Sequence, residues 1–241
     1  MSLVKKIQIP FRLIKLTFYL FSKYPKDIPF YFDWILSLKN RKNGLNTFTD
    51  QKPWLNYRAI RWLDSYLKPG MRVFEYGSGG STVFFAQRVK QIFSVEHSLQ
   101  WYQVVAETLK ELKMSNVIYV LKESEHVERE GDCSDPHFYA SGFENKFDRM
   151  SFAEYVKAID NYPDGFFDLV LIDGRARTSC IKHALSKIKN NGIIVLDDSN
   201  RERYRVAQKQ YLSDYTCMRL SGVVPYSAHA TETAIFVKGD E

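Results

Sequence analysis

The stretch VFEYGSGGSTVFFA, Val73 to Ala86, sets three glycines and a carboxylate between an apolar run and a helical pattern. A buried strand that enters a glycine turn and leaves as a helix brings its backbone close to whatever binds there. The same alternation continues outward from it. LNYRAIRWLDSYL reads as a helix before the strand MRVFEY, and STVFFAQRVK as the helix that opens at the turn. QIFSVE is a strand, SLQWYQVVAETLKELK a helix and NVIYVL a strand. SFAEYVKAIDN then reads as a helix, FDLVLID as a buried strand, TSCIKHALSKIK as a helix and GIIVLDD as a buried strand. RERYRVAQKQYLSDY is helical again, and CMRLSGVV with TAIFVK suits a terminal antiparallel pair. Strands alternating with helices predict an α/β, doubly wound, mostly parallel sheet.

Such a sheet binds ligands at the carboxyl ends of its strands, near the switch in strand order. Those ends carry Glu75 and Gly77, Glu96 and His97, Lys122 and Glu123, Asp173, then Asp197 and Asp198. One strand-end acid is ordinarily a helix cap or a solvated turn; the set is what points to a site. A dinucleotide loop would read G-x-G-x-x-G, but the third glycine position counted from Gly77 is Thr82. Glu75 would face a diphosphate unfavourably, whereas it suits a ligand carrying an amine and a sulfonium. S-adenosylmethionine is such a ligand. Glu96, at the end of the next strand, is placed to accept hydrogen bonds from both hydroxyls of its ribose.

On FEYGSGGST, SVEHS, FDLVLIDGRAR and GIIVLDDSNRERY, in that order, the chain resembles the class I S-adenosylmethionine-dependent methyltransferases. The resemblance covers roughly residues 55 to 238. It implies a Rossmann-like, seven-stranded sheet whose last strand, TAIFVK, is antiparallel. It implies cofactor binding by Glu75, Gly77, Ser78, Gly79, Ser81, Glu96 and His97, with His97 beside the adenine. The adenine-edge motif is weak, LKESE offering only Glu123 and Ser124.

Methyl transfer from a sulfonium is an in-line displacement, so the protein must align donor and acceptor and take a proton from a poor nucleophile. Asp173 is the best placed carboxylate for that, or it merely caps the next helix. Arg175 and Arg177 follow it, and Arg201, Arg203 and Arg205 lie beyond the next strand. They suit a carboxylate or phosphate on the acceptor, or else a solvated helix entry paired with Asp197 and Asp198. His229, before the last strand, is a further acceptor-side candidate or a surface histidine. Metal-dependent relatives of catechol O-methyltransferase hold magnesium with an Asp after the fourth strand and an Asp-Asn pair after the fifth. Here Asp173 is followed by LDDSN, which gives Asp198 and Ser199 or Asp197 and Asp198 but no Asp-Asn. A set of Asp173, Asp197 and Asp198 would favour Mg2+ or calcium over zinc. The long polar run between Glu123 and Met150 is expected to be an acceptor lid rather than a metal site, despite His126, Asp132, Cys133, Asp135 and His137.

The chain of 241 residues carries a net charge of +6, and nine basic against three acidic residues fall in the first fifty. Residues 55–241 therefore read as a near-neutral methyltransferase domain, and residues 1–54 as a basic, aromatic helical extension. In that extension Arg12, Lys15, Tyr19, Ser22 and Lys23 form a polar stripe opposite Leu13, Ile14, Phe18, Leu20 and Phe21; Pro25 and Pro29 separate it from a second helix, FDWILSLKN. It is expected to pack on the domain or a second subunit, with a membrane surface as the alternative. No run is long and uncharged enough to span a bilayer, and no signal-peptide cleavage site follows it. Cys133, Cys180 and Cys217 have neither disulfide nor metal spacing, which suits a cytoplasmic setting.

The expected function is thus O-methylation of a small-molecule or glycan acceptor bearing an acidic group. The alternative is a membrane-recruited or scaffold protein that keeps the fold. A nucleic-acid acceptor is disfavoured by the neutral body and by IDGR standing where N-P-P-Y or D-P-P-Y would be. A nicotinamide oxidoreductase is disfavoured by Thr82 and Glu75.

Overall fold

The computed structural model describes residues 11–128, 131–141 and 149–239. The first ten residues of the basic arm, and residues 129–130 and 142–148 of the expected lid, lie outside the described residues. Helix α1 (Phe11–Lys23), a 3-10 turn (Pro25–Phe30), α2 (Tyr31–Arg41) and α3 (Tyr57–Tyr66) precede strand β1 (Arg72–Tyr76). Then follow α4 (Gly80–Ala86), β2 (Gln91–Glu96), α5 (Leu99–Glu111) and β3 (Val117–Leu121). A short antiparallel pair, β4 (Glu125–His126) with β5 (Met150–Ser151), brackets the long polar run. After it come α6 (Ala153–Lys157), β6 (Phe167–Ile172), α7 (Arg177–Lys187), β7 (Ile188–Asp197), α8 (Arg205–Tyr211), β8 (Thr216–Val223) and β9 (Ala230–Val237).

Seven strands form one sheet in the order β3-β2-β1-β6-β7-β9-β8, in which β9 alone runs against the rest. The expected doubly wound sheet with an antiparallel last strand is the fold observed. Alternation along the strands divides the core. Phe74, Tyr76, Phe93, Val95, Val170, Ile172, Ile194 and Leu196 face α6, α7 and α8, while Val73, Ile92, Leu169, Leu171, Ile193 and Val195 face α3 and α4. Burial on both faces is why the central strands read as continuous apolar runs. Several elements differ in extent from the sequence reading: α4 stops at Ala86 rather than at residue 90, and α8 spans Arg205–Tyr211 within the expected 201–215. The helix expected over residues 151–161 is α6 followed by a 3-10 turn, Ala158–Asn161. Strand β7 starts at Ile188, which pairs with Phe167 across a register shift, so α7 stops at Lys187.

The switch in strand order falls between β1 and β6. Registers level the strand ends there: Tyr76 pairs with Val95 and with Ile172, and Ile172 pairs with Leu196. The next residue on each strand is therefore Gly77, Glu96, Asp173 or Asp197. These four form one row along the carboxyl edge of the sheet.

The N-terminal helices pack on the turn between β8 and β9. Trp34, fully buried, donates from Nε1 to the Ser227 carbonyl at 2.8 Å, and Arg41 reaches the Tyr226 carbonyl at 3.2 Å. Buried Asp27 accepts from the Val223 amide at 2.6 Å. Leu16, Leu20 and Phe21 of α1 join Trp34 and Val223 in a small apolar cluster, while Phe18 and Phe32 stay exposed. No helix among the described residues is long and apolar enough to cross a membrane.

Candidate cofactor and acceptor site

The glycine turn is shaped by three contacts. Gly77 has φ +91, and a Cβ there would meet Gly174 Cα at 2.8 Å, so the turns after β1 and β6 touch backbone to backbone. Gly174 is in turn closed in by the Tyr155 hydroxyl, against which a methyl group would overlap. Gly80 is pressed by the carbonyls of Thr47 and Lys52, so the segment before α3 lies directly on the start of α4. Gly79 differs: a Cβ would meet only Trp101, at 3.8 Å. That side of the loop is the open one.

Beneath the loop sits Glu75, fully buried. Its Oε2 accepts from Thr82 Oγ1 and Ser94 Oγ, both at 2.6 Å, while its Oε1 has no hydrogen-bond partner. Burial pushes its carboxyl up to about 7, although the hydroxyls of Ser81, Ser94 and Thr82 favour the charged form. Thr82, which sequence reasoning treated only as a missing glycine, accepts from the Gly79 amide at 2.9 Å and thereby ties the loop to Glu75.

A raised carboxyl keeps its proton in the folded chain after the unfolded chain has lost it. Stability therefore falls as pH rises from about 4.5 to about 7 and stays lower above that. Glu75→Gln is expected to remove that slope and to stabilise the ligand-free chain at pH 8 by up to about 3 kcal/mol. Thermal unfolding followed at pH 5 and pH 8 checks it: equal pH dependence in the two proteins would contradict the assignment.

Glu96, 2% exposed, holds the neighbouring turns together. Oε1 accepts from the amides of His97 and Ser98 at 2.8 and 2.9 Å, and Oε2 from the amide and hydroxyl of Ser78 at 3.1 and 2.9 Å. His97 Nδ1 lies 2.8 Å from Oε1. Despite burial, these contacts, the His97 ring first, hold the carboxyl below its usual value. Ser78 is fixed further by the Tyr119 hydroxyl at 2.7 Å and by Trp101, whose Nε1 donates to the Ser78 carbonyl at 2.9 Å. Trp101 and Tyr119 were not singled out from the sequence. Ser98 caps α5 through the Trp101 amide, so SVEHSLQW carried the signal for Trp101.

On the other side of the switch, Asp173, Asp197 and Asp198 do converge, but on Arg177. Its guanidinium donates from Nη2 to Asp173 Oδ1 at 3.0 Å and from Nη1 to Asp198 Oδ2 at 3.4 Å, and Asp197 Oδ2 is 3.7 Å from Nη1. Arg201 also reaches Asp198, at 2.6 Å. Arg177 and Arg201 thus pair with the aspartates as in the alternative to an acceptor site, but Arg177 is buried and not part of a solvated helix entry. Asp197 Oδ1 accepts from Thr233, which accepts from Asn56, the cap of α3. Burial, then its neighbouring carboxylates, raise Asp173 well above its usual range, and Asp197 is pushed up to about 6 for the same reasons. The Asp173 side chain remains one-fifth exposed, so it opens toward the edge of the sheet.

No group of three or more His, Cys, Asp or Glu among the described residues is arranged to hold a metal ion. The magnesium set of Asp173, Asp197 and Asp198 does not fit an ion, because the Arg177 guanidinium already lies among the three carboxylates, 3.0, 3.7 and 3.4 Å from their oxygens. Arg175 is half-buried in the turn before α7. His229 is exposed in the β8–β9 turn and pairs with the Ser227 hydroxyl at 2.5 Å. That turn lies beyond Asp197, which pairs with Thr233. The described part of the long polar run packs on α7: Thr178 donates to the Cys133 carbonyl at 2.8 Å, and His137 meets Lys182 at 3.2 Å.

The family model of protein-L-isoaspartate(D-aspartate) O-methyltransferase matches residues 24–126, which include the glycine turn and Glu96. An rRNA methylase from Streptococcus thermophilus, 12% identical, superposes with a TM-score of 0.51 over 77% of this chain and 96% of its own. A protein taken to be an rRNA methylase, from Clostridium thermocellum, is also 12% identical and gives 0.51 over 76% and 96%. No curated protein matches the sequence. Fold, strand order and glycine turn are those of the class I S-adenosylmethionine-dependent methyltransferases. Within that class, the isoaspartate methyltransferase model reaches only the first half of the sheet.

Proposed function

We propose that this chain transfers a methyl group from S-adenosylmethionine to an oxygen of a small-molecule or glycan acceptor bearing an acidic group. The observation that carries the reading is the row Gly77, Glu96, Asp173 and Asp197, level across the switch between β1 and β6. Two features fit the cofactor: the unpartnered Oε1 of Glu75, suited to an ammonium group, and the open side of the loop at Gly79.

Glu75, the turn Gly77–Ser78–Gly79 and Ser81 hold the methionine part, Glu96 the ribose and His97 the adenine. The bound cofactor supplies an electrophilic methyl group on a sulfonium. Asp173, its carboxyl raised by burial and fixed on one oxygen by Arg177, orients the acceptor hydroxyl and takes its proton; a raised carboxylate is the stronger base. Arg175 and the exposed His229, which flank the same edge, bind the acidic group of the acceptor.

Labelled methyl transfer to a panel of acidic phenols, uronic-acid glycans, proteins and RNA tests this. Label on an acidic hydroxyl compound, reduced about a hundredfold or more in Asp173→Asn with cofactor affinity unchanged, is expected. Label on RNA or protein alone would overturn the acceptor assignment, the neighbours of similar fold being named as rRNA methylases.

A further inference from the structure

The donors of Arg177 are fully used. Nε donates to the Gly174 carbonyl at 3.0 Å; Nη1 to the Asp197 carbonyl at 2.6 Å and to Asp198 Oδ2 at 3.4 Å; Nη2 to the Asp173 carbonyl and to Asp173 Oδ1, both at 3.0 Å. A guanidinium has five N–H groups, and here each has an acceptor. The side chain is 10% exposed, and the Tyr204 ring lies 5.8 Å from its Cζ. Ala176, the residue before Arg177, at φ +46 and Asp198, whose carboxylate the guanidinium meets, at φ +52 are non-glycine residues in the left-handed region.

A magnesium ion would need oxygen ligands at about 2.0–2.1 Å in near-octahedral array. The three carboxylates surround instead a planar cation, those of Asp173 and Asp198 at hydrogen-bond distance and that of Asp197 at 3.7 Å. An incoming ion would have to expel a buried arginine and leave its carbonyl acceptors, those of Asp173, Gly174 and Asp197, without donors.

We infer that Arg177 is the resident cation of the carboxylate cluster at the ends of β6 and β7, so that this site works without a divalent metal. Removing the guanidinium leaves a latent metal site. Lysine does not restore the arrangement, since an ammonium has three donors and no fork. The inference concerns this chain's own side chains and does not depend on which acceptor is methylated.

Manganese titration of the full chain, read by electron paramagnetic resonance and calorimetry, tests it in wild type, Arg177→Gln and Arg177→Lys. Wild type is expected to show no saturable binding in the submillimolar range, and its affinity for S-adenosylhomocysteine to be the same with EDTA as with magnesium. Arg177→Gln is expected to take up one equivalent of manganese at least about tenfold more tightly than wild type. Saturable manganese binding to wild type that is lost in Asp173→Asn would overturn the inference. So would a folded Arg177→Gln with no gain. If Arg177→Gln does not fold by circular dichroism, the wild-type titration and the Asp173→Asn control still decide between the two.

Discussion

Glu96→Gln is expected to weaken binding of S-adenosylhomocysteine by about a hundredfold, equivalent to roughly 3 kcal/mol. The carboxylate is nearly inaccessible, is held below its usual pKa, and meets the amides of Ser78, His97 and Ser98, the Ser78 hydroxyl and the His97 ring. A glutamine there must point an amide N–H at one of those amides and offers the ribose a weaker partner. Both losses act on the same turn. The substitution should also remove a pH effect. Because the folded value is depressed, the charged Glu96 stabilises the chain above its ordinary pKa of 4.5, and that contribution is lost as pH falls through the folded value. Calorimetric titration reads the first effect and acid unfolding the second; an affinity within threefold of wild type would remove Glu96 from the ribose site.

Gly77→Ala is expected to cost about 2–5 kcal/mol of stability, the sum of a left-handed alanine and an overpacked contact. The residue sits at φ +91 and the new methyl meets backbone, Gly174 Cα at 2.8 Å and Gly174 N at 3.0 Å. A flexible side chain would yield; a backbone held beside Tyr155 does not. For a chain of this size the midpoint of thermal unfolding should fall by roughly 5–15 °C. Gly70→Ala is the control, since nothing lies within 4 Å of a Cβ there, and its stability should stay within about 0.5 kcal/mol. Equal midpoints for the two variants would show that the turns after β1 and β6 are not in contact.

The alternation of apolar runs with helical periods was legible because each element carries its own pattern over ten or so residues. The turn after β1 was legible for a similar reason, as its glycines and Glu75 lie within a few positions of one another. Partners chosen across the sheet were not. Arg177 stood in DGRAR beside Arg175 with nothing local to distinguish them. What separates them is the arrival of Asp197 and Asp198 at the end of a different strand, 20 and 21 positions away. Thr82 read as a departure from a fingerprint until Glu75 was placed beneath it by the pleat of β1. The docking of Trp34 on Ser227 spans 193 positions and rests on shape, which no periodicity records. Residues 46–52 showed no helical or strand pattern, yet they are what makes Gly80 necessary.

The glycine turn with Glu75 and Glu96 is the proposed seat of the methionine-bearing nucleoside. It is tested most directly by calorimetric titration of the intact chain with S-adenosylhomocysteine and with NAD, in buffers of different ionisation enthalpy at pH 7. With the Glu75 carboxyl raised by burial to about 7, some of the molecules carry a proton there before binding. The expected result is one saturable site for S-adenosylhomocysteine, release of a fraction of a proton that disappears in Glu75→Gln, and no heat with NAD. Absence of heat with S-adenosylhomocysteine, or a saturable site for NAD in its place, would contradict it.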